Sequence, residues 1–379
     1  MRSRMRRSVL AVLVMLVAAL APSPASAAGN ATMVASGFSS PRGIVFFHGQ
    51  LLVAEAGTGG PYCNGKPPPE LLCIGTTSQI SRVNTTTGAH TPLISGLFSA
   101  IENHGGPNEA LGSEGLSISG GRVLNIMGLY PQAFGDIHCA PGDMACARTL
   151  ALARAQAGHL ISVGADGGFR SVASVGGYDF NWTANKPPQE HDANPYGVLA
   201  AQGGAYVADA GSNTLDFVRN GGRVTVLQHF PGRQAGFPSD EVPDCIARTD
   251  EALWVGTLAG HLFRVDEDGA TQVSVPLLRH VTGCTADQNG NLYLVNMWTT
   301  PGPPGMDSPF TGNVIKFNAD EGTSSVLAGG LDFPNMDTIG PDGNLYVTAD
   351  SVCPATGLPF CPQGGTVWKI TLPSEDNQN

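Results

Sequence analysis

The feature that most constrains this chain is a hairpin that recurs along it. Pro41-Arg42-Gly43-Ile44 leads to HGQLLVAEAG, Pro195-Tyr196-Gly197-Val198 to QGGAYVADAG, and Pro243-Asp244-Cys245-Ile246 to DEALWVGTLAG. Thr282-Gly283-Cys284 leads to NGNLYLVNMW and Pro334-Asn335-Met336 to PDGNLYVTADS. A worn copy, Ser113-Glu114-Gly115-Leu116 before GGRVLNIMGL, makes six. Each copy reads as a strand, a short Gly-containing turn and a second strand. A further strand pair follows most copies, as in GHLISVGADGGFRSVAS or NVIKFNADEGTSSVLA.

One four-stranded unit cannot bury both of its faces, so repeated units must stack, and such sheets close into a ring. The expected fold is all-β, a six-bladed β-propeller of antiparallel four-stranded blades. The sixth copy has only GTVWKITLP after its hairpin, so ATMVASG near residue 31 is expected to supply its outer strand and close the ring. Composition agrees: 50 Gly, 28 Pro and only 13% charged residues suit short strands and turns and suit helices badly. Only Met144 to Ala157 looks helical.

Four long insertions, Thr58 to Gly75, Tyr130 to Ala157, Thr299 to Thr311 and Val352 to Gly364, all follow the second strand of a copy. In an up-and-down blade that connection shares a face with the start of the innermost strand, and loops gathered on one face of a rigid scaffold tend to carry function. Two polar sets belong to this face. Arg42, Glu114, Tyr196, Asp244, Thr282 and Asn335 follow the Pro-like position before each inner strand and should ring the channel mouth. Glu55, Asp209, Asn296 and Asp350 end the neighbouring strands and are expected to tie backbone between blades. Oxygen ligands on Glu114, Asp244 and Asn335 would suit a divalent cation such as calcium, which could activate water. The Arg, Tyr and Thr in the same ring instead suit a polar ligand cup. His191-Asp192 could supply a general base and His104 a metal ligand, although a plain loop role accounts for both.

Residues 1–27 have the form of a signal peptide: Arg2, Arg4, Arg6 and Arg7, the apolar Val9 to Leu20, then Ala25-Ser26-Ala27. The mature chain, 28–379, is expected to be a single secreted propeller domain without a membrane span, and a monomer. Eight cysteines in an exported chain read as disulfides. Spacing favours Cys63 with Cys73, Cys139 with Cys146 and Cys353 with Cys361. Cys245 and Cys284 share a register in adjacent copies, so a staple between blades is expected there. A net charge of −11 argues against nucleic acid as a partner, and no GxSxG elbow is present.

The order PRGIVF…LLVAEAG, DANPYGVLA…YVADAGSN, VPDCIA…LWVGTLAG and NGNLYLVNMW resembles the ScyD/ScyE family of exported bacterial proteins over about residues 30 to 373. That resemblance implies a propeller and export; it supplies no activity. The hairpins also look like NHL repeats and gluconolactonase-type propellers, whose members hold a divalent metal with Glu, Asn and Asp at the channel mouth and hydrolyse lactones. Pro243-Asp244-Cys245-Ile246 matches that pattern best, with Glu114 and Asn335 as looser analogues. Three functions are therefore open: a module binding a small molecule or an extracellular partner, a metal-dependent hydrolase or lactonase, and a structural envelope protein.

Overall fold

A computed structural model of the protein describes residues 30–103, 108–187, 189–230, 240–300 and 310–373. The leader region 1–27 and His104 lie outside the described residues. The fold is the expected six-bladed propeller. Blade one is built from Pro41–Phe47, Gln50–Glu55, Leu71–Val83 and His90–Asn103, and blade two from Ser113–Ser119, Arg122–Met127, His159–Val163 and Phe169–Ser174. Blades three, four and five begin with inner strands Pro195–Ala201, Pro243–Arg248 and Val281–Ala286. Each inner strand packs on the next around the axis, and the sixth, Asp337–Ile339, returns to the first.

Ring closure follows the sequence expectation. Ala31–Phe38 runs antiparallel to Gly365–Ile370 and completes blade six as its outer strand. The two ends of the described chain thus share one sheet, which leaves no gap at which the blades could part. Burial falls from the axis outward: Leu253–Thr257 and Leu345–Ala349 are buried throughout, whereas the outer strands Val224–His229 and Gly269–Val273 are mostly half-exposed. Hairpin turns take the left-handed backbone that Gly tolerates, as at Gly203 (φ 83°) and Gly290 (φ 79°).

Two regions depart from the sequence reading. The hairpin Leu71–Val83/His90–Asn103 is far longer than a blade requires, and Glu109–Leu111 adds a further strand to its edge. Part of the first insertion is therefore sheet, braced by Tyr62–Cys63 against Ile74 and Cys73. The helix Met144–Gln156 forms as expected, capped by Asp143, whose carboxylate accepts from Ala145 N and Cys146 N. A second helix, Val175–Thr183, was not expected, because VGGYDFNWT opens on two glycines. A Cβ on Gly176 would lie 2.5 Å from Leu129 O, so close backbone approach explains the residue that helix propensity disfavours. All four expected cysteine pairs are bonded, with Cys245–Cys284 joining the inner strands of blades four and five.

Phe38 is fully buried where the closing strand meets blade one. Phe38→Ala is expected to destabilise the whole domain by roughly 3–5 kcal/mol. Urea unfolding followed by tryptophan fluorescence would measure this, and a change confined to local fraying would contradict a closure that holds the ring.

Candidate functional site

The residue after each Pro-like position sits in a β-bulge. Ladder register slips between Pro41 and Ile44, Ser113 and Leu116, Pro195 and Gly197, Pro243 and Cys245, and Val281 and Gly283. Blade six repeats the pattern: Asn335 N donates to Thr348 O, while Thr348 N donates to Met336 O. A bulge re-aims side chains at the end of a strand, and here it gathers Arg42, Glu114, Tyr196, Asp244, Thr282 and Asn335 around the axis.

These six do not form an open cup, because all are buried. Arg42 Nε lies 3.1 Å from a Glu114 carboxylate oxygen, and its other nitrogens donate to Ser351 O (3.0 Å) and Ala110 O (2.8 Å). Glu114 also accepts from Gly112 N at 2.9 Å. Burial holds the Glu114 carboxyl above its usual range even with Arg42 beside it. The Tyr196 ring lies 6.0 Å from the Arg42 guanidinium, and its hydroxyl accepts from Asn335 Nδ2 at 2.6 Å. Thr282 Oγ1 donates to the carbonyls of Pro334 and Asn335. The ring is a polar plug whose members are largely engaged with one another.

A cavity of about 270 Å³ lies below this plug, on the axis. Its walls come from the residues that follow the bulges, and exposure rises toward the face opposite the insertions, where Arg248 is exposed. The first layer under the plug is Ile44, Leu116, Val198, Ile246, Cys284 and Asp337. Five of these are apolar, and one is a carboxylate. Among the described residues, neither oxygen of Asp337 meets a donor from another residue, and burial pushes its carboxyl well above the usual range. Asp244 lines the same cavity from blade four. Burial raises its carboxyl too; nearby Glu109 and Glu114 add to the shift, and Arg42 opposes it. The sequence reading missed Asp337, although the signal was present. Aligned two residues after the bulge position, the repeats read Ile, Leu, Val, Ile, Cys and Asp.

One contact disfavours a metal in this ring. Arg42 already places a fixed cation among its carboxylates, and among the described residues no group of three or more His, Cys, Asp or Glu side chains is arranged to hold an ion. The strand-end polar side chains are engaged by protein donors instead, Glu55 and Asp209 by backbone N–H groups. Glu55 accepts from Ser39 N at 2.8 Å and Asp209 from Asn194 N at 2.7 Å, each pinning the segment that leads into its blade. Asn296 does the same for Arg279 N at 2.8 Å. Asp350 accepts from Thr366 Oγ1, and its backbone N–H donates to Asp332 O. His191 stacks on Phe180, 3.8 Å between ring centroids, and Phe180 stacks in turn on Tyr130. Beside it, burial raises the Asp192 carboxyl to about 7.

No protein-family model and no curated protein sequence matches the chain. Solved structures match in fold. A Bacteroides thetaiotaomicron protein of unknown function aligns at TM-score 0.53 and 9% identity, over 91% of this chain and 77% of that one. A gluconolactonase from Xanthomonas campestris aligns at 0.49 and 13%, over 94% and 93%. Virginiamycin B lyase from Staphylococcus aureus, in a complex with quinupristin, aligns at 0.43 and 13%, over 90% and 98%. At such identities the likeness shows the fold alone.

Two outcomes follow from the buried charges. Arg42→Met strands Glu114 in the interior and is expected to cost roughly 3–5 kcal/mol, with much of the loss recovered in Arg42→Met/Glu114→Gln; equal stability of the single and double variants in urea would contradict the pairing. Burial raises Asp332 to about 7 and Asp350 to about 6, each with the other as neighbour. An unfolded aspartate ionises near 3.8, so between about pH 4 and 7 the unfolded chain releases protons that the folded one keeps. The pair's contribution to stability therefore falls as pH rises through that window. Asp350→Asn keeps an acceptor for Thr366 and suits the positive φ of 52° there. Its melting temperature is expected to gain on the wild type steadily from pH 4 to 8, and parallel pH profiles would refute the shift.

Proposed function

We propose that this protein is an exported propeller of the ScyD/ScyE type that works as a binding module, taking a small molecule into its axial cavity. The observation that supports this reading is the cavity: about 270 Å³, walled mainly by apolar side chains, with carboxylates at few positions and an opening on one face. Binding sites have this character, concave and apolar with a small number of placed polar groups. The volume suits a ligand of fragment size. Bonded cysteine pairs fit an oxidising, extracellular setting, and among the described residues no helix is long and apolar enough to cross a membrane. The leader would be removed after residue 27, leaving the propeller outside the cell.

A metal-dependent hydrolase would need Glu114, Asp244 and Asn335 around one ion. The guanidinium of Arg42 beside Glu114 disfavours that arrangement, so binding is the better-supported reading.

A fragment screen by ligand-observed NMR tests the site. Fragments are expected to bind the wild type and to be lost in Val198→Trp, which fills the cavity from blade three. Ile246→Phe provides a milder filling from blade four. Fragments that bind the wild type and both filled variants alike would place binding elsewhere and remove the cavity from the proposal.

A further inference from the structure

The cavity has a chemistry more specific than its size. Its first layer repeats an apolar residue around the axis, Ile44, Leu116, Val198, Ile246 and the disulfide-bonded Cys284, and breaks that repeat once, at Asp337. A carboxylate in an apolar ring is costly unless something pairs with it. Nothing among the described residues does. Both Asp337 oxygens lack a donor from another residue. Asp244, on the wall contributed by blade four, is likewise without an ion-pair partner among the described residues. The cation nearest in effect, Arg42, is already held by Glu114, Ser351 O and Ala110 O. Gly283 keeps room for the Asp337 carboxyl, since a Cβ there would stand 3.0 Å from Asp337 Oδ1.

Resting on the reading that the cavity binds a small molecule, we infer that its ligand is a small organic cation, an amine or amidine on an apolar body, whose charged head meets Asp337. Asp244 adds negative charge from the blade-four side of the same space. The apolar body would pack on Ile44, Leu116, Val198, Ile246 and Met336, all of which line the cavity. Burial holds both carboxyls well above the usual range while no cation is present. A bound cation supplies the missing counter-charge and draws both toward their ionised form. A neutral body would gain only the apolar contact, and an anion at the inner end would meet two carboxyls and, among the described residues there, no free cation. Arg248, at the open end, is exposed and stands four residues beyond Asp244 on the same strand.

The test compares benzamidine with benzamide, its neutral isostere, by isothermal titration calorimetry on the full-length mature protein. Benzamidine is expected to bind at least about tenfold more tightly than benzamide, as befits a charge-assisted contact in a desolvated site. Asp337→Asn is expected to remove that preference, and Asp244→Asn to weaken it. Asp337→Asn replaces an unpaired buried acid with a neutral side chain of the same shape, so it should melt no lower than the wild type. Should it fail to fold, Asp244→Asn and competition between benzamidine and a fragment displaced by Val198→Trp decide the matter. Equal binding of the two probes, or undiminished preference in Asp337→Asn, overturns the cationic class and leaves the cavity as a site. Failure of both probes while neutral fragments still bind there overturns it in the same way. Failure of both probes and of every fragment removes the class and the cavity together.

Discussion

The structure depends on how closely six strands approach one axis. In the bulge layer a Cβ on Gly43 would stand 2.5 Å from Glu114 O; on Gly115, 2.7 Å from Tyr196 O; on Gly197, 2.5 Å from Asp244 O; and on Gly283, 2.4 Å from Asn335 O. The backbone of each inner strand therefore rests against that of the next, and four blades need Gly at this point. Blade four has Cys245 instead, bonded to Cys284 of the adjacent strand. The bulges follow from the same crowding. An extra residue bends each strand away from the axis and turns its side chain over the top, where the six form the plug.

Charge inside such a ring has to be matched locally, and the protein does this in two ways. Strand-end acids receive backbone N–H groups, as Asp209 does from Asn194, Gly211 and Ser212. Glu114 instead receives a guanidinium. Elsewhere carboxyls meet carboxyls. Asp179, on the unexpected helix, lies with Asp209 and Asp216 in a fully buried group where burial and mutual repulsion push Asp179 well above its usual range. Such a group is stable when it shares protons, which lets the helix dock on blade three without a cation. Asp337 differs from that group too: among the described residues its oxygens meet no donor from another residue, and no neighbouring carboxyl shares a proton with it.

Much of the architecture was legible in the sequence because it is repeated. Six copies of one hairpin determined the blade count, the short last copy called for an N-terminal strand, and two cysteines near the starts of adjacent inner strands called for a staple, although the ladders set Cys245 level with Gly283, one residue off the shared register expected for Cys284. The candidate site was legible only in part. Pro-x-Gly placed the bulge residues, but not whether their side chains would face solvent or each other. That depended on Arg42 pairing with Glu114 across 72 positions of chain and on Asn335 meeting Tyr196 across 139. The long blade-one hairpin hides in a segment rich in Pro, Gly and Cys, and Val175–Thr183 hides behind glycines chosen for close contact.

Rigidity connects these observations. A void and an unpaired carboxylate both invite collapse, because a small shift of the walls would fill the one and let the other find a partner. This ring cannot shift easily. Ala31–Phe38 closes it at the rim, Cys245–Cys284 links two blades at the axis, and the plug locks blades one, two, three and six from above. Inner strands already in backbone contact have no closer packing to adopt. The cavity is thus preserved by the crowding above it, and an acid fixed in a preformed space loses little freedom when it binds, which is the condition under which one charged contact gives most selectivity.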